Sequence, residues 1–208
     1  MWVDRWMNLL KMKPNYIEIV TWNGKVYRFS KPLIVLIFVD FGESSYIGPM
    51  DPTPAATLAS PSTSGYYGNL DHSAFLKMAA IFIKAFKAGD EVVTVTPDEE
   101  EIFMFYRLQP ALTNGYADSW PLPENVTGVQ DNVYIVPFLA SPATVHLSSG
   151  GSPWQMDAPA GVSKGTVPWH LGKQTLTASR PVNGITVDKE GPEIVSQFNR
   201  YQGNVVAI

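Results

Sequence analysis

Apolar positions fall into two regimes along the chain. In the first half, residues 2–12 place Trp2, Trp6, Leu9 and Leu10 at near-helical spacing, which predicts a short amphipathic helix ended by Pro14 and Asn15. Tyr16 to Trp22 (YIEIVTW) is rich in β-branched and aromatic residues and predicts a buried strand. Gly24 to Ser30 is polar and basic, and Pro32 to Val39 (PLIVLIFV) predicts a second buried strand, too short to cross a bilayer. Met50 to Ser64, rich in Pro, Ser, Thr and Ala, reads as a loop. Asp71 then caps a helix over Ser73 to Ala88, with Phe75, Met78, Ala79, Phe82 and Phe86 on one face and Gly89 closing it. Val92 to Val95 and Ile102 to Tyr106 are strand-like. This alternation predicts part of an α/β sheet or barrel.

The second regime begins after a shift to Pro, Asn, Gly and Ser between about Gln109 and Gly128, a candidate domain boundary. Beyond it come short apolar runs at Val133–Leu139, Ala143–Leu147, Trp154–Met156, Gly165–Pro168, Gln174–Ala178, Gly184–Val187 and Val205–Ile208, separated by turn residues. That spacing predicts a β-sandwich. No fixed-period repeat or heptad pattern is present.

Composition narrows the function classes. Of 208 residues, 45% are hydrophobic and 16% charged, ample for a buried core and contrary to disorder. A net charge of -4 gives no reason to expect nucleic acid or an anionic membrane as partner. The absence of cysteine excludes a disulfide scaffold, a thiolate metal site and a Cys nucleophile. No run of 18 apolar residues predicts a membrane span, and the acidic, non-apolar start is not that of a signal peptide. The aromatic fraction of 12% suits stacking on sugar faces or core packing equally. The three histidines, His72, His146 and His170, are too scattered for a metal site, and no cofactor is expected.

The stretch Asp40-Phe-Gly-Glu43-Ser-Ser-Tyr46-Ile-Gly-Pro49 carries the candidate chemistry. Two carboxylates three residues apart follow a strand directly, with Gly42 permitting a bend between them. Barrel enzymes place catalytic groups at strand ends in this way, whereas a solvated turn or a helix cap needs no chemistry.

Without Gly24 to Val39, the flanks run Tyr16-Ile-Glu-Ile-Val-Thr-Trp22-Asn23 into Asp40-Phe-Gly-Glu43-Ser-Ser-Tyr46-Ile-Gly-Pro49. This resembles the YVEILTWNDYGESHYIGP-type motif of the fungal α-1,3-glucanases (mutanases) of glycoside hydrolase family 71. Asp71 to Phe75 with Ile83 to Gly89 resembles the family's next helix. Phe103 to Arg107 resembles its last barrel strand. Leu139 to Gly151, Ala158 to Val162 and Phe198-Asn199 resemble its C-terminal β domain. The resemblance implies a secreted, inverting endo-1,3-α-glucanase that acts on α-1,3-glucan, a fungal cell-wall polymer. It also implies a partial (β/α)8 barrel over 1–115, a linker over 116–130 and an accessory β-sandwich over 131–208. Matched position by position, Asp40 and Glu43 are the implied catalytic pair. Spacing leaves open which is acid and which is base; we assign Glu43 as acid and Asp40 as base. Trp22, Asn23, Tyr46 and His72 are the substrate-binding candidates, although core packing serves Trp22 and Tyr46 equally and a structural cap serves His72 better.

Two departures qualify the expectation. A full barrel takes about 250 residues, and only about 110 precede the β domain here. The 16-residue insert Gly24–Val39 splits the motif. Codons for Gly24 to Val26 can carry GT and those for Phe38 to Asp40 can carry AG, so a retained intron is expected. Ser45 and Leu108-Gln109 stand where the family pattern has His and Pro-His. Weak or absent activity is therefore expected of this chain, and the alternative is a non-catalytic carbohydrate-binding module with a vestigial barrel fragment. Trp154 and Trp169 fit its core better than a sugar-binding face, and Asp98 to Glu101 reads as a solvated loop or helix start.

Overall fold

The computed structural model describes residues 2–14, 17–19, 27–28, 35–37, 70–117, 122, 126–181, 184–199, 201 and 205–208. Helix α1 (Trp2–Met12) buries Val3, Trp6 and Leu10, one stripe of an amphipathic helix. It ends at Lys13, whose φ of 47° is left-handed, and Pro14 cannot continue the helix. Strands β1 (Ile17–Ile19), β2 (Tyr27–Arg28) and β3 (Val35–Ile37) form a sheet in the order β1-β3-β2, with β3 parallel to β1 and antiparallel to β2. Both β2 and β3 lie inside the insert, so the insert pairs back onto the strand that precedes it.

Helix α2 (Ser73–Ala88) occupies the range its apolar period predicts, and Gly89, at φ 79°, closes it. The N–H groups of Gly89 and Asp90 donate to Phe86 and Ala85 carbonyls, satisfying the end of the last turn. Val92 to Val95 is not a strand. Val92 is exposed, and the chain runs into a 3-10 turn over Pro97–Glu99 opened by a Thr96–Glu99 capping box. The box commits the Thr96 backbone N–H to the Glu99 carboxylate instead of a neighbouring strand.

The remaining strands are β4 (Glu101–Arg107), β5 (Asn132–Leu139), β6 (Ala143–Ser149), β7 (Ser152–Ala158), β8 (Gly161–Val162), β9 (Gly165–Pro168), β10 (Gly172–Arg180), β11 (Gly184–Ile194) and β12 (Val205–Ala207). They form two antiparallel sheets. One is four-stranded, β11-β10-β6-β7; the other runs β12-β4-β5-β8, with β9 also on β5. Gly150 and Gly151, at φ 53° and 85°, make the two-residue turn between β6 and β7, a geometry that favours glycine at both positions. The β4 strand thus shares a sheet with β5 and β12, across the stretch 116–130. Within that stretch, the Tyr116 and Ala117 N–H groups donate to the Phe198 and Asn199 carbonyls.

Alternation along β4 explains the layering. Phe103 and Phe105 face one way, with Val136 and Phe138 of β5, and pack against α1 and α2. Ile102, Met104 and Tyr106 face the other way, with Val133 and Ile135, and pack against Val145, Leu147, Leu176 and Ala178 of the four-stranded sheet. A strand covered on both faces reads as an unbroken apolar run, which is what Ile102 to Tyr106 is. The helical side is joined by rings: Trp6 stacks on Phe82 at 5.5 Å, Phe82 meets Phe138 edge-on at 5.6 Å, and Phe75 meets Phe105 at 4.8 Å. Fully burying one such side chain contributes roughly 1.5–3 kcal/mol. Trp154 and Trp169 pack against the inter-sheet core.

The acidic run Asp98 to Glu101 is not simply solvated. Glu99 pairs with Lys84, Glu100 with Arg180, and Glu101 with both Lys77 and Lys189. The run therefore ties α2, β10 and β11 to the start of β4.

Candidate functional site at the carboxyl end of β4

Five of the sequence-derived site residues, Trp22, Asn23, Asp40, Glu43 and Tyr46, lie outside the described residues. His72 lies within them, at the end of the sheet where α2 begins and β4 ends. Asp71 sets up this helix start. Its Oδ1 accepts the Ser73 backbone N–H at 2.8 Å and the Ser73 hydroxyl at 2.6 Å. Those hydrogen bonds, the hydroxyl's foremost, hold the carboxyl below its usual range despite some burial. The His72 ring is 3% exposed, packs edge-on against Phe75, and has Nε2 3.2 Å from the Val205 carbonyl oxygen. A carbonyl only accepts, so Nε2 carries the proton.

Val205 is paired with Arg107, the last residue of β4. Arg107 follows the alternation of Phe103 and Phe105 onto the helix-facing side of the sheet and is 5% exposed. Its Nη2 donates to the Tyr201 hydroxyl at 2.5 Å, and its guanidinium carbon lies 5.2 Å from the Tyr201 ring centre. The Tyr201 hydroxyl in turn donates to the Ala111 carbonyl at 3.2 Å. Asp131 fixes the same loop by accepting the Ala111 N–H, at 3.1 Å and 3.2 Å from its two oxygens. The Arg107 Nε is buried and has no hydrogen-bond partner among the described residues.

A guanidinium with a free N–H, almost out of water and with no carboxylate of the described residues against it, is a ready partner for a carboxylate or a sugar hydroxyl. Sequence reasoning passed over Arg107, although the signal was present: a charged residue ends an apolar strand run, the same pattern that drew attention to Asp40. Asp40 stood out because its motif is distinctive, whereas Arg107 is an isolated cation between apolar runs. Among the described residues no group of three or more His, Asp or Glu is placed to hold a metal ion.

The comparison with known proteins places these elements in context. A family model described as Glycosyl hydrolase family 71 matches residues 1–208. The chain belongs to glycosyl hydrolase family 71. It is 26% identical over 202 residues to a glucan endo-1,3-alpha-glucosidase of Schizosaccharomyces pombe, covering 97% of this chain and 42% of that protein. It is 27% identical to a mutanase of Penicillium rubens, covering 97% of this chain and 40% of that one. An ascus wall endo-1,3-alpha-glucanase of Schizosaccharomyces pombe is 26% identical, covering 92% of this chain and 42% of the relative. The chain therefore spans about two fifths of the length of these relatives. No solved structure matches it.

Proposed function

We propose that this chain is the part of an α-1,3-glucan hydrolase that carries the paired carboxylates, with Glu43 protonating the leaving oxygen and Asp40 activating water. The observation that carries the reading is the family match over the whole chain, within which the Trp22-Asn23 and Asp40-to-Pro49 segments hold the acidic motif. Relatives named for endo-1,3-α-glucanase and mutanase activity support the substrate, and the ascus wall enzyme among them supports an extracellular, wall-directed role. Inverting hydrolysis needs one protonated and one ionised carboxyl about 6.5–9.5 Å apart, with a water between the sugar and the base. We further infer that 1–115 holds the last portion of a (β/α) barrel and that the strands after it form its accessory sandwich, which takes β4 into one of its sheets.

The test is release of reducing sugar from insoluble α-1,3-glucan by the chain and by a form lacking Gly24–Val39. Misplacement of reacting groups by about 1 Å costs on the order of a hundredfold, so the shortened form is expected to be the faster by about that factor. Asp40→Asn and Glu43→Gln should each abolish the activity in both. Equal activity in either variant and its parent overturns the assignment of the pair. A glucan that is bound by the chain and hydrolysed by neither form favours the binding-module alternative.

A further inference from the structure

The outward face of the four-stranded sheet holds a hollow of about 460 Å³, within the range of small-ligand sites (roughly 300–1,000 Å³). Register shows which side chains face it. His146 of β6 sits opposite Gln155 of β7 and Thr177 of β10; Ser148 sits opposite Pro153 and Thr175. Directly opposed residues share a face, so these six form one surface. Leu147, opposite Trp154 and Leu176, is on the other face and inside the core. All six line the hollow, which Leu147 and Trp154 also border. They come from three neighbouring strands, so the backbone that presents them is held by ladder hydrogen bonds on both sides of β6.

The chemistry of this surface is specific. The lining has three hydroxyls (Ser148, Thr175 and Thr177), a carboxamide and an imidazole, and no Lys, Arg, Asp or Glu. Hydroxyl and amide groups both donate and accept, as sugar hydroxyls do. The His146 Nε2 is engaged with the Ser179 hydroxyl at 3.3 Å, which fixes the ring and leaves Nδ1 toward other partners. Pro153 supplies an exposed apolar face, and its neighbour Gln155 is exposed too. The lining itself is uncharged, but Glu190 and Asp188 of β11 stand opposite Thr175 and Thr177 on the same face, with Lys173 paired to Glu190, so an anionic ligand is disfavoured while sugar hydroxyls meet carboxylate acceptors at the rim. A neutral polyhydroxylated chain meets matched groups across the lining, where it desolvates no charge. Short Ser and Thr side chains also lose little rotamer entropy on binding.

We propose that this face is a second glucan-binding site, holding a short run of α-1,3-linked glucose and containing neither Asp40 nor Glu43. The choice of glucan rests on the hydrolase reading above, while the neutral-glycan chemistry rests on the groove itself. Its role is to raise the effective concentration of an insoluble substrate at the same molecule that cuts it.

The experiment uses the full chain with Asp40→Asn, to prevent turnover, and an α-1,3-linked glucose tetrasaccharide as probe. Calorimetric titration is expected to give saturable binding. Gln155→Ala combined with Thr177→Val should weaken it about fivefold or more, as expected for losing neutral hydrogen bonds, with an unchanged urea midpoint because both side chains face outward. Amide chemical-shift changes on tetrasaccharide addition should cluster on β6, β7 and β10. Unchanged affinity in the double variant, shift changes confined elsewhere, or no binding at millimolar probe overturns the proposal. Binding lost in the double variant, while the chain and the form lacking Gly24–Val39, both with Asp40 intact, fail to hydrolyse glucan, sustains the groove and sinks the hydrolase reading. Hydrolysis by either Asp40-containing form together with unaltered binding in the double variant does the reverse.

Discussion

Arg107→Met separates a residue kept for function from one kept for structure. The guanidinium is 5% exposed, and withdrawing such a cation from water costs several kcal/mol after relaxation. Two interactions offset the cost. The charge-assisted hydrogen bond to Tyr201 contributes about 1.5–3 kcal/mol, and the contact with the Tyr201 ring contributes about 1–2 kcal/mol when desolvated. The sum roughly cancels the burial cost, and the unpartnered Nε adds nothing. Methionine has an unbranched, adaptable side chain that fills the same channel without a charge. The Tyr201 hydroxyl keeps its bond to the Ala111 carbonyl. The expected change in unfolding free energy, read from urea melts of the two proteins, is therefore within about 1 kcal/mol. Over the same substitution, glucan hydrolysis by the form lacking Gly24–Val39 should fall on the order of a hundredfold, the effect of removing a charge-assisted contact worth about 3 kcal/mol. A loss of more than about 3 kcal/mol in stability would show that Arg107 is a structural anchor and refute the reasoning. So would full activity in a stable variant.

Other consequences follow from the packing. A Cβ on Gly191 would come 2.2 Å from the Tyr106 hydroxyl and 2.8 Å from Ile208 Cδ1. Tyr106 is buried and held by its 2.7 Å bond to the Pro192 carbonyl, so it cannot swing aside; Gly191→Ala should cost about 1–3 kcal/mol in urea unfolding, and a neutral result would show that the strand shifts freely. Glu100→Gln should cost about 2–3 kcal/mol, because the largely buried Arg180 loses a two-pronged partner, and the double variant Glu100→Gln with Arg180→Met should recover part of it; no recovery would show that the pair is not coupled. Glu99 is held at about 2 by Lys84 first and then by Thr96. Its folded value lies below the ordinary value of 4.5, so its contribution is complete above about pH 4.5 and is lost as pH falls toward 2. Screening limits that contribution to about 1 kcal/mol, and Glu99→Gln should flatten the acid limb of the stability profile by that amount.

What could be seen in the sequence divides along a physical line. Elements fixed by local periodicity were legible: the 3.6-residue period of 73–88 and its closing Gly89 gave α2 its range, and period-two alternation gave β6 and β10. What depended on long-range partners was not. EIFMFYR reads equally as a barrel strand or as any strand covered on both sides, since an apolar run does not say what covers it. The structure pairs that strand with β5 and with β12 in antiparallel register, a choice made by residues about 30 and 100 positions away. Val92 to Val95 has β-branched composition and still forms no strand, because the Thr96–Glu99 box a few residues on takes the backbone another way. The same limit governs the candidate site. Asp40 and Glu43 stood out because a local motif carries them. Arg107 marks the end of an apolar run in the sequence, but its surroundings appear only when Val205 and Tyr201 converge on it, and the His146 groove only when three strands align their outward residues. Chemistry encoded in one stretch can be read from that stretch; chemistry assembled from several must wait for the register that joins them.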